Sequence, residues 1–443
     1  MYRLVKQTLP LAALLLLLTL LGGCALQTGD GLLLLPKVPA EYVQLQQQLS
    51  QILDGGASYA VAETGTHRQT VQLVDLDGDG AEEALGFFRA EDGALQVYVF
   101  RQDAEGYSLM GVAEGYGTTL RAVYYPTLPG GRRALAMCWG FDEGGSYGMT
   151  IYGFSGQGMR ALLDIQYSDV VIQDIDGDGA EELAFAVRDS VTGIYSARVY
   201  QYREEQYRVL YEVPMCLEVR SVANMQFGRM ENGSLGLYID SISNTGGYVT
   251  DLVCYDGRTA ANRTIDQASG SGSRTWRPIS VFCDDLNGDG RLDIPVTHSF
   301  SAQANEIETR ARLDWYNVDA DGGETLVGSS VNAVTESWYL IWPEAWGEQV
   351  RVTKSSGTGF SKTIFSLQKG EDTQELLSIW LFSGDGLESV SSVYKRLGTL
   401  ESTAAGVYRF SLSQAADSGL ALTEDELREL FHTVESGWHI EEY

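Results

Sequence analysis

A chain of 443 residues with 60 acidic against 31 basic side chains carries a net charge of −29, and it lacks the clustered Lys and Arg that phosphate backbones require, which excludes nucleic acid as a partner. Its hydrophobic share of 44% is ordinary for a folded protein, and its length exceeds that of a typical single domain. Fifty glycines and 24 tyrosines beside only nine prolines favour short strands and tight turns over long helices.

The first segment names a compartment. Arg3 and Lys6 precede an apolar run from Leu9 to Leu21, which is short for a permanent membrane span and ends in Leu21-Gly22-Gly23-Cys24. A basic start, a short apolar core and small residues before a cysteine resemble a bacterial lipoprotein signal with its lipobox. The resemblance implies a signal peptide over 1–23, cleavage before Cys24, and lipid attachment there that holds the protein on the outer side of a cell membrane. Residues 24–38 then form a tether. The other cysteines, Cys138, Cys216, Cys254 and Cys283, permit two disulfides in any of three pairings, and their apolar settings suit buried strand thiols as well.

Pro39 opens a helix over 39–56, with Tyr42, Leu45, Leu49, Ile52 and Leu53 at helical spacing and Gly55-Gly56 as its stop. It is expected to pack on the edge of the next domain. From Thr66 the apolar period becomes two, and a four-strand order recurs five times: from about Thr66 to Ala113, Thr118 to Leu162, Asp169 to Tyr211, Val219 to Ile265 and Pro278 to Val331. Aromatics close the third strand of each unit, at Phe100, Phe154, Tyr202, Tyr255 and Tyr316. Repeated four-stranded units of ~50–60 residues predict a mainly β fold, a β-propeller of about five blades spanning 60–331.

One stretch is written three times along this region: Asp75-Leu-Asp77-Gly-Asp79-Gly-Ala81-Glu-Glu83, Asp174-Ile-Asp176-Gly-Asp178-Gly-Ala180-Glu-Glu182 and Asp285-Leu-Asn287-Gly-Asp289-Gly-Arg291-Leu-Asp293. Calcium takes six to eight hard oxygen ligands, so side chains at positions 1, 3, 5 and 9 with the carbonyl at 7 (Ala81, Ala180, Arg291) outline three calcium sites. Glycines at 4 and 6 allow the positive φ angles that turn the chain about an ion. An EF-hand is excluded, because position 12 is Gly86, Phe185 or Val296 and the flanks are strands. The third copy, with Asn287 for an Asp, has one charge fewer.

These loops, each leading into a strand, resemble the FG-GAP or VCBS-type repeats of integrin α-subunit propellers and bacterial surface proteins. The resemblance covers residues 60–331, rests on the three loops, and implies that the ions are structural. Elsewhere only Phe227-Gly228 echoes the repeat's name.

Near Thr335 the pattern breaks, and Trp338-Tyr-Leu-Ile-Trp342-Pro343-Glu-Ala-Trp346 is expected to open a separate α+β domain over 335–443. Strands are expected at 350–353, 363–367, 376–382 and 406–412, then a helix from Thr423 with a capping box to Glu426 and Leu427, Leu430, Phe431 and Val434 on one face. Its Pro-Glu-x-Trp opening resembles an uncharacterised C-terminal module of Firmicutes surface proteins, which implies lineage and no activity.

Other chemistry is sparse. Gly144-Gly-Ser146-Tyr-Gly148 matches the serine-hydrolase Gly-x-Ser-x-Gly, yet it falls in a strand-to-strand turn, where that motif carries no nucleophile. The four histidines, His67, His298, His432 and His439, show no zinc spacing. Trp139, Phe141, Tyr147, Tyr152 and Tyr167, with Trp338, Trp342 and Trp346, supply either a sugar-binding face or blade cores. The expected function is a non-catalytic, calcium-stabilised cell-surface lipoprotein that binds an extracellular protein or glycan. The alternatives are a polysaccharide-acting enzyme using propeller-face carboxylates and an envelope assembly factor.

Overall fold

Alternating apolar residues that are buried on both sides of a strand demand a sheet covered on both faces. Ala84-Leu85-Gly86-Phe87-Phe88 is such a run, since all five residues are buried, and it sits in the middle of the first of the six antiparallel sheets formed by the described residues. The computed structural model describes residues 40–103, 106–141, 146–155, 158–298, 311–369, 372–384, 397–413 and 419–434; the expected signal peptide, Cys24 and the tether lie outside them. Among the described residues no helix is long and apolar enough to cross a membrane.

The first sheet holds β1 (Ser58–Tyr59), β2 (Val71–Val74), β3 (Glu83–Arg89), β4 (Leu95–Asp103) and β5 (Gly106–Glu114). The second is a meander of β6 (Thr119–Tyr124), β7 (Leu135–Gly140), β8 (Tyr147–Ser155) and β9 (Gly158–Tyr167). The third runs through β10 (Asp169–Gln173), β11 (Glu182–Arg188), β12 (Tyr195–Arg203) and β13 (Gln206–Pro214). The fourth contains β14 (Val219–Arg229), β15 (Leu235–Ser243), β16 (Tyr248–Tyr255) and β17 (Ala260–Asn262). All four fall where the repeat predicted them, and Phe100, Phe154, Tyr202 and Tyr255 lie on the third strands of the repeat.

Neighbouring sheets share cores in sequence order. Side chains of alternate parity on one strand point to opposite neighbours. Met137 thus joins Phe87 and Val97 of the first sheet, while Ala136 and Cys138 join Leu183 and Phe185 of the third. The third and fourth sheets meet through Ala184, Val199, Leu237 and Ile239, and the fourth and fifth through Tyr238, Leu252, Ile294 and Val318. The array of stacked four- and five-stranded sheets is mainly β and of the β-propeller type.

Helix α1 (Ala40–Asp54) packs on the first sheet, against its edge strand β5 and across β3 and β4. Leu45 and Leu49 are buried against Ala84, Phe88, Phe100 and Tyr107, and the Gln48 amide donates to the Tyr107 carbonyl.

The fifth sheet corrects the expected boundary. β18 (Ile294–Thr297), β19 (Ala311–Val318) and β20 (Glu324–Ala333) are followed by β21 (Trp338–Ile341), which pairs with β20 from Ser330↔Ile341 to Ala333↔Trp338. The break in pattern at 335 is a short helical turn between two strands of one sheet, with Ser337 at φ 56°. Trp338 therefore belongs to the fifth sheet, and the small C-terminal α+β region follows it.

A sixth sheet comes next, with β22 (Val350–Gly357), β23 (Phe360–Lys369), β24 (Asp372–Phe382), β25 (Gly398–Thr403) and β26 (Gly406–Leu412) in the order β22-β23-β24-β26-β25. Trp338, Trp342 and Trp346 are buried in the core between the fifth and sixth sheets, beside Phe365, Ile379 and Tyr408. Helix α2 (Glu424–Leu430) begins with the expected capping box: Thr423 accepts from the Glu426 amide at 3.2 Å, and Glu426 accepts from the Thr423 amide at 2.8 Å. The helix ends sooner than its apolar stripe suggested. Phe431 leaves helical geometry at φ −91°, ψ 128°, and β27 (Phe431–Thr433) pairs with β21, so Phe431 serves the fifth sheet as an edge strand.

The four described cysteines are buried free thiols, so none of the three pairings is formed. Burial raises all four thiol pKa values, which suits inert core residues.

Candidate metal centre

Each acidic stretch links the first and second strands of its unit. The first spans β2 to β3, the second β10 to β11, and the third enters β18 from a segment held by reciprocal amide–carbonyl bonds between Asp284 and Asp293. The glycines at positions 4 and 6 have φ between 74° and 88° in all three copies, a region that side chains other than glycine seldom enter. The acidic side chains occupy the turns so formed.

Position 1 ties the turn together. Asp75 accepts from the Gly78 and Gly80 amides at 2.8 and 3.0 Å, Asp174 from Gly177 and Gly179 at 2.7 and 3.0 Å, and Asp285 from Asp289 and Gly290 at 3.0 and 2.7 Å. Position 5 caps its own turn, because Asp79, Asp178 and Asp289 each accept from the position-7 amide, that of Ala81, Ala180 or Arg291, at 2.8–3.0 Å. Position 9 closes the loop: Glu83, Glu182 and Asp293 accept from the amides of Leu76, Ile175 and Leu286.

The expected ligand set was positions 1, 3, 5 and 9 with the carbonyl at 7. The structure gathers positions 1, 3 and 9. Carboxylate oxygens of Asp75, Asp77 and Glu83 lie within 4.8 Å of one another, as do those of Asp174, Asp176 and Glu182. With Asn287 at position 3, the third loop forms no such three-carboxylate group among the described residues.

The position-9 carboxyls are the buried members. Glu83, Glu182 and Asp293 are at most 1% exposed. Burial holds Glu83 above the usual carboxylate range and pushes Glu182 up to about 7 and Asp293 up to about 6. One oxygen of Glu182 (Oε1) and one of Asp293 (Oδ1) have no hydrogen-bond partner. A buried carboxylate with a vacant lone pair and two acidic neighbours is costly to ionise, a cost relieved either by protonation or by a cation between them. All donors are oxygens, the set that hard cations such as calcium take and that zinc or copper sites rarely use.

The loops also join neighbouring units. The turn between β6 and β7 lies against the first loop, where the Arg133 amide donates to the Leu76 carbonyl at 2.9 Å. The same turn engages the end of the second loop, through Thr127 N to Glu181 Oε2 at 2.7 Å and Glu181 N to the Thr127 carbonyl at 2.9 Å. Two clefts adjoin the loops. A cleft of about 630 Å³ beside the first loop is lined by His67, Gln72, Asp75, Glu82, Tyr125 and Arg133. Another of about 340 Å³ beside the second is lined by Asp176, Gln201, Arg203, Tyr211, Phe227 and Tyr255.

Among the described residues the remaining sequence candidates do not assemble into a second centre. Ser146 lies between β7 and β8, antiparallel partners, so the Gly-x-Ser-x-Gly match has no strand-to-helix elbow; Gly144 lies outside the described residues. Trp139 and Tyr167 are buried core residues, whereas Phe141, Tyr147 and Tyr152 are half-buried. His298 is held between Asp314 at 2.7 Å and Glu348 at 3.1 Å. His432 is stacked on Tyr339, and His439 lies outside the described residues. Sequence reading missed the third-strand residues that face the loops, Arg101 and Gln201, which stand 24 and 25 positions beyond the aspartates they bond.

The chain matches no model of a known protein family and no curated protein. Among solved structures it is similar to the β-propeller domain of the trilobed protease from Pyrococcus furiosus, at 8% identity and a TM-score of 0.26 over 72% of this chain and 93% of that one. It is also similar to a Lactobacillus plantarum protein, at 13% identity and 0.28 over 71% and 85%. An endo-arabinase from Bacteroides thetaiotaomicron matches at 13% and 0.25 over 61% and 95%. Similarity this distant lends nothing to function.

Proposed function

We propose that this protein is a non-catalytic, calcium-stabilised binding scaffold of the cell surface, built on FG-GAP/VCBS-type repeats and lipid-anchored through Cys24. The observation that carries the calcium reading is the convergence of positions 1, 3 and 9 within 4.8 Å in two loops that also touch the neighbouring sheet. Asp75, Asp77 and Glu83 would hold one ion, and Asp174, Asp176 and Glu182 a second; Asp285, Asn287 and Asp293 offer a third site with fewer charges. A bound ion supplies the positive charge that lets these carboxylates stay ionised at a blade junction. Its role is to fasten, since the carboxylates brought together are already engaged with backbone amides of their own turns. The cleft beside the second loop, with Tyr211, Phe227 and Tyr255 near Arg203 and Gln201, combines flat apolar faces with polar groups and suits a glycan or a peptide segment.

The test is thermal melting of the full chain in excess chelator and after calcium is restored. Calcium should raise the melting temperature, and Asp174→Asn with Asp176→Asn should remove most of that rise; an unchanged melt defeats the structural-calcium reading. For the anchor, Cys24→Ser should release the protein from cells, and continued retention would refute it. A glycan array with product analysis separates binding from turnover, and release of a cleaved sugar would convert the reading to an enzyme.

A further inference from the structure

The third strand of each loop-bearing unit carries a β-bulge at the same place, at Val99/Phe100, Val199/Tyr200 and Trp315/Tyr316. In the first two loop-bearing units the residue just past the bulge bonds the position-3 aspartate of the acidic loop, and it differs: Arg101 and Gln201. Arg101 Nη2 lies 3.0 Å from Asp77 Oδ2 at position 3 of the first loop, and the same nitrogen donates to the Ser155 carbonyl of the second sheet. In the second loop the equivalent group is neutral, with Gln201 Nε2 on Asp176 Oδ2 at 2.7 Å.

Resting on the calcium reading above, we infer that Arg101 is a built-in counter-ion that makes the first loop a weak calcium site, and that the second loop is the tight one. Charge is the reason. The second loop presents Asp174, Asp176, Asp178 and Glu182, and among the described residues no Lys or Arg pairs with any of them. A cation is nonetheless called for there: Glu182 is fully buried with Oε1 unpartnered, and Gln201 is 5% exposed with its own Oε1 unpartnered. In the first loop a fixed guanidinium already occupies one face of the position-3 carboxylate and repels a divalent ion entering beside it. The third loop is weakened differently, by Asn287 and by Arg291 Nε at 3.6 Å from Asp289. The first two copies therefore differ through one side chain on a strand distant in sequence, and the third differs through residues of its own loop.

The proposal is tested by titrating the chelator-dialysed full chain with calcium chloride in a calorimeter. The unaltered protein should show one tight event, which Asp174→Asn removes. Arg101→Gln should bring in a second tight event, with affinity at the first loop rising about 10-fold or more, the usual scale for groups one step behind metal ligands. Gln201→Arg should weaken the tight event by a similar factor. The second variant keeps the test decisive if loss of the Arg101–Ser155 link harms folding, which melting and circular dichroism will show. Two equal tight sites in the unaltered protein, or no effect of Gln201→Arg, overturns the grading while leaving the calcium reading intact. No calcium heat in any variant overturns both.

Discussion

Asp251 lies on β16 in the fourth sheet and is 0% exposed. Its Oδ1 accepts from the Cys216 amide at 2.9 Å and from the Asn262 amide nitrogen at 2.6 Å, while Oδ2 has no partner. Burial pushes its pKa from the ordinary 3.8 up to about 6. The folded protein therefore holds this proton more tightly than the unfolded chain. Its contribution to stability is fully present below about pH 4 and is lost as the pH rises through 6. Two pH units at about 1.4 kcal/mol each amount to about 3 kcal/mol, an upper bound for a buried site. Asp251→Asn keeps the shape and one acceptor but cannot ionise. It does leave an amide donor where Oδ2 was, a cost of about 1–3 kcal/mol that does not depend on pH. The difference between mutant and unaltered protein should thus move by about 3 kcal/mol in favour of the mutant between pH 4 and pH 8. Differential scanning calorimetry across that range in constant ionic strength measures it, and titrating groups not coupled to Asp251 cancel in the difference; Glu218 and Cys216 are its coupled neighbours. Parallel pH profiles would refute the reasoning.

Two further outcomes are expected from the packing. Arg277 and Asp240 form an ion pair at 2.8 Å with both side chains 0% exposed, and Asp240 also accepts from Thr250 at 2.6 Å and the Cys283 amide at 3.1 Å. Arg277→Met should cost about 3–5 kcal/mol by stranding a buried charge, and Arg277→Met with Asp240→Leu should recover part of it, as denaturant unfolding in a double-mutant cycle will show. Leu49→Ala on α1 removes a buried contact with the first sheet and should cost about 2–4 kcal/mol. Hydrogen exchange should quicken in β3 and β4 but not in the fourth sheet, and uniform quickening would mean that the helix supports more than its own neighbour.

The glycine-spaced acidic loops were legible because turn geometry and charge are written into adjacent residues. The third-strand aromatics were legible for a similar reason, since they recur with the unit. The residues facing each loop were hidden: Arg101 and Gln201 come into place only through the antiparallel register of β4 and β12 and a bulge that no local pattern announces. The boundary near 335 misled because a change of composition accompanies the turn into β21, yet hydrogen bonding continues across it. Phe431 fits a helical stripe as well as a short edge strand, and only pairing with Leu340 decides between them. The Trp338, Trp342 and Trp346 cluster looked equally suited to a ligand face or a core, and burial assigns it to the core.

The pairing of β21 with β27 has a temporal consequence. Residues 342–430, including the whole sixth sheet, are threaded between two strands that lie side by side. On a ribosome, Trp338–Ile341 emerges long before its partner does and must wait with one row of amides and carbonyls unsatisfied. The fifth sheet is thus the last to be sealed although it is not the last to be made. Any pause in delivery of the later residues leaves an open seam there, and such a seam is where a second nascent chain would be captured by mistake.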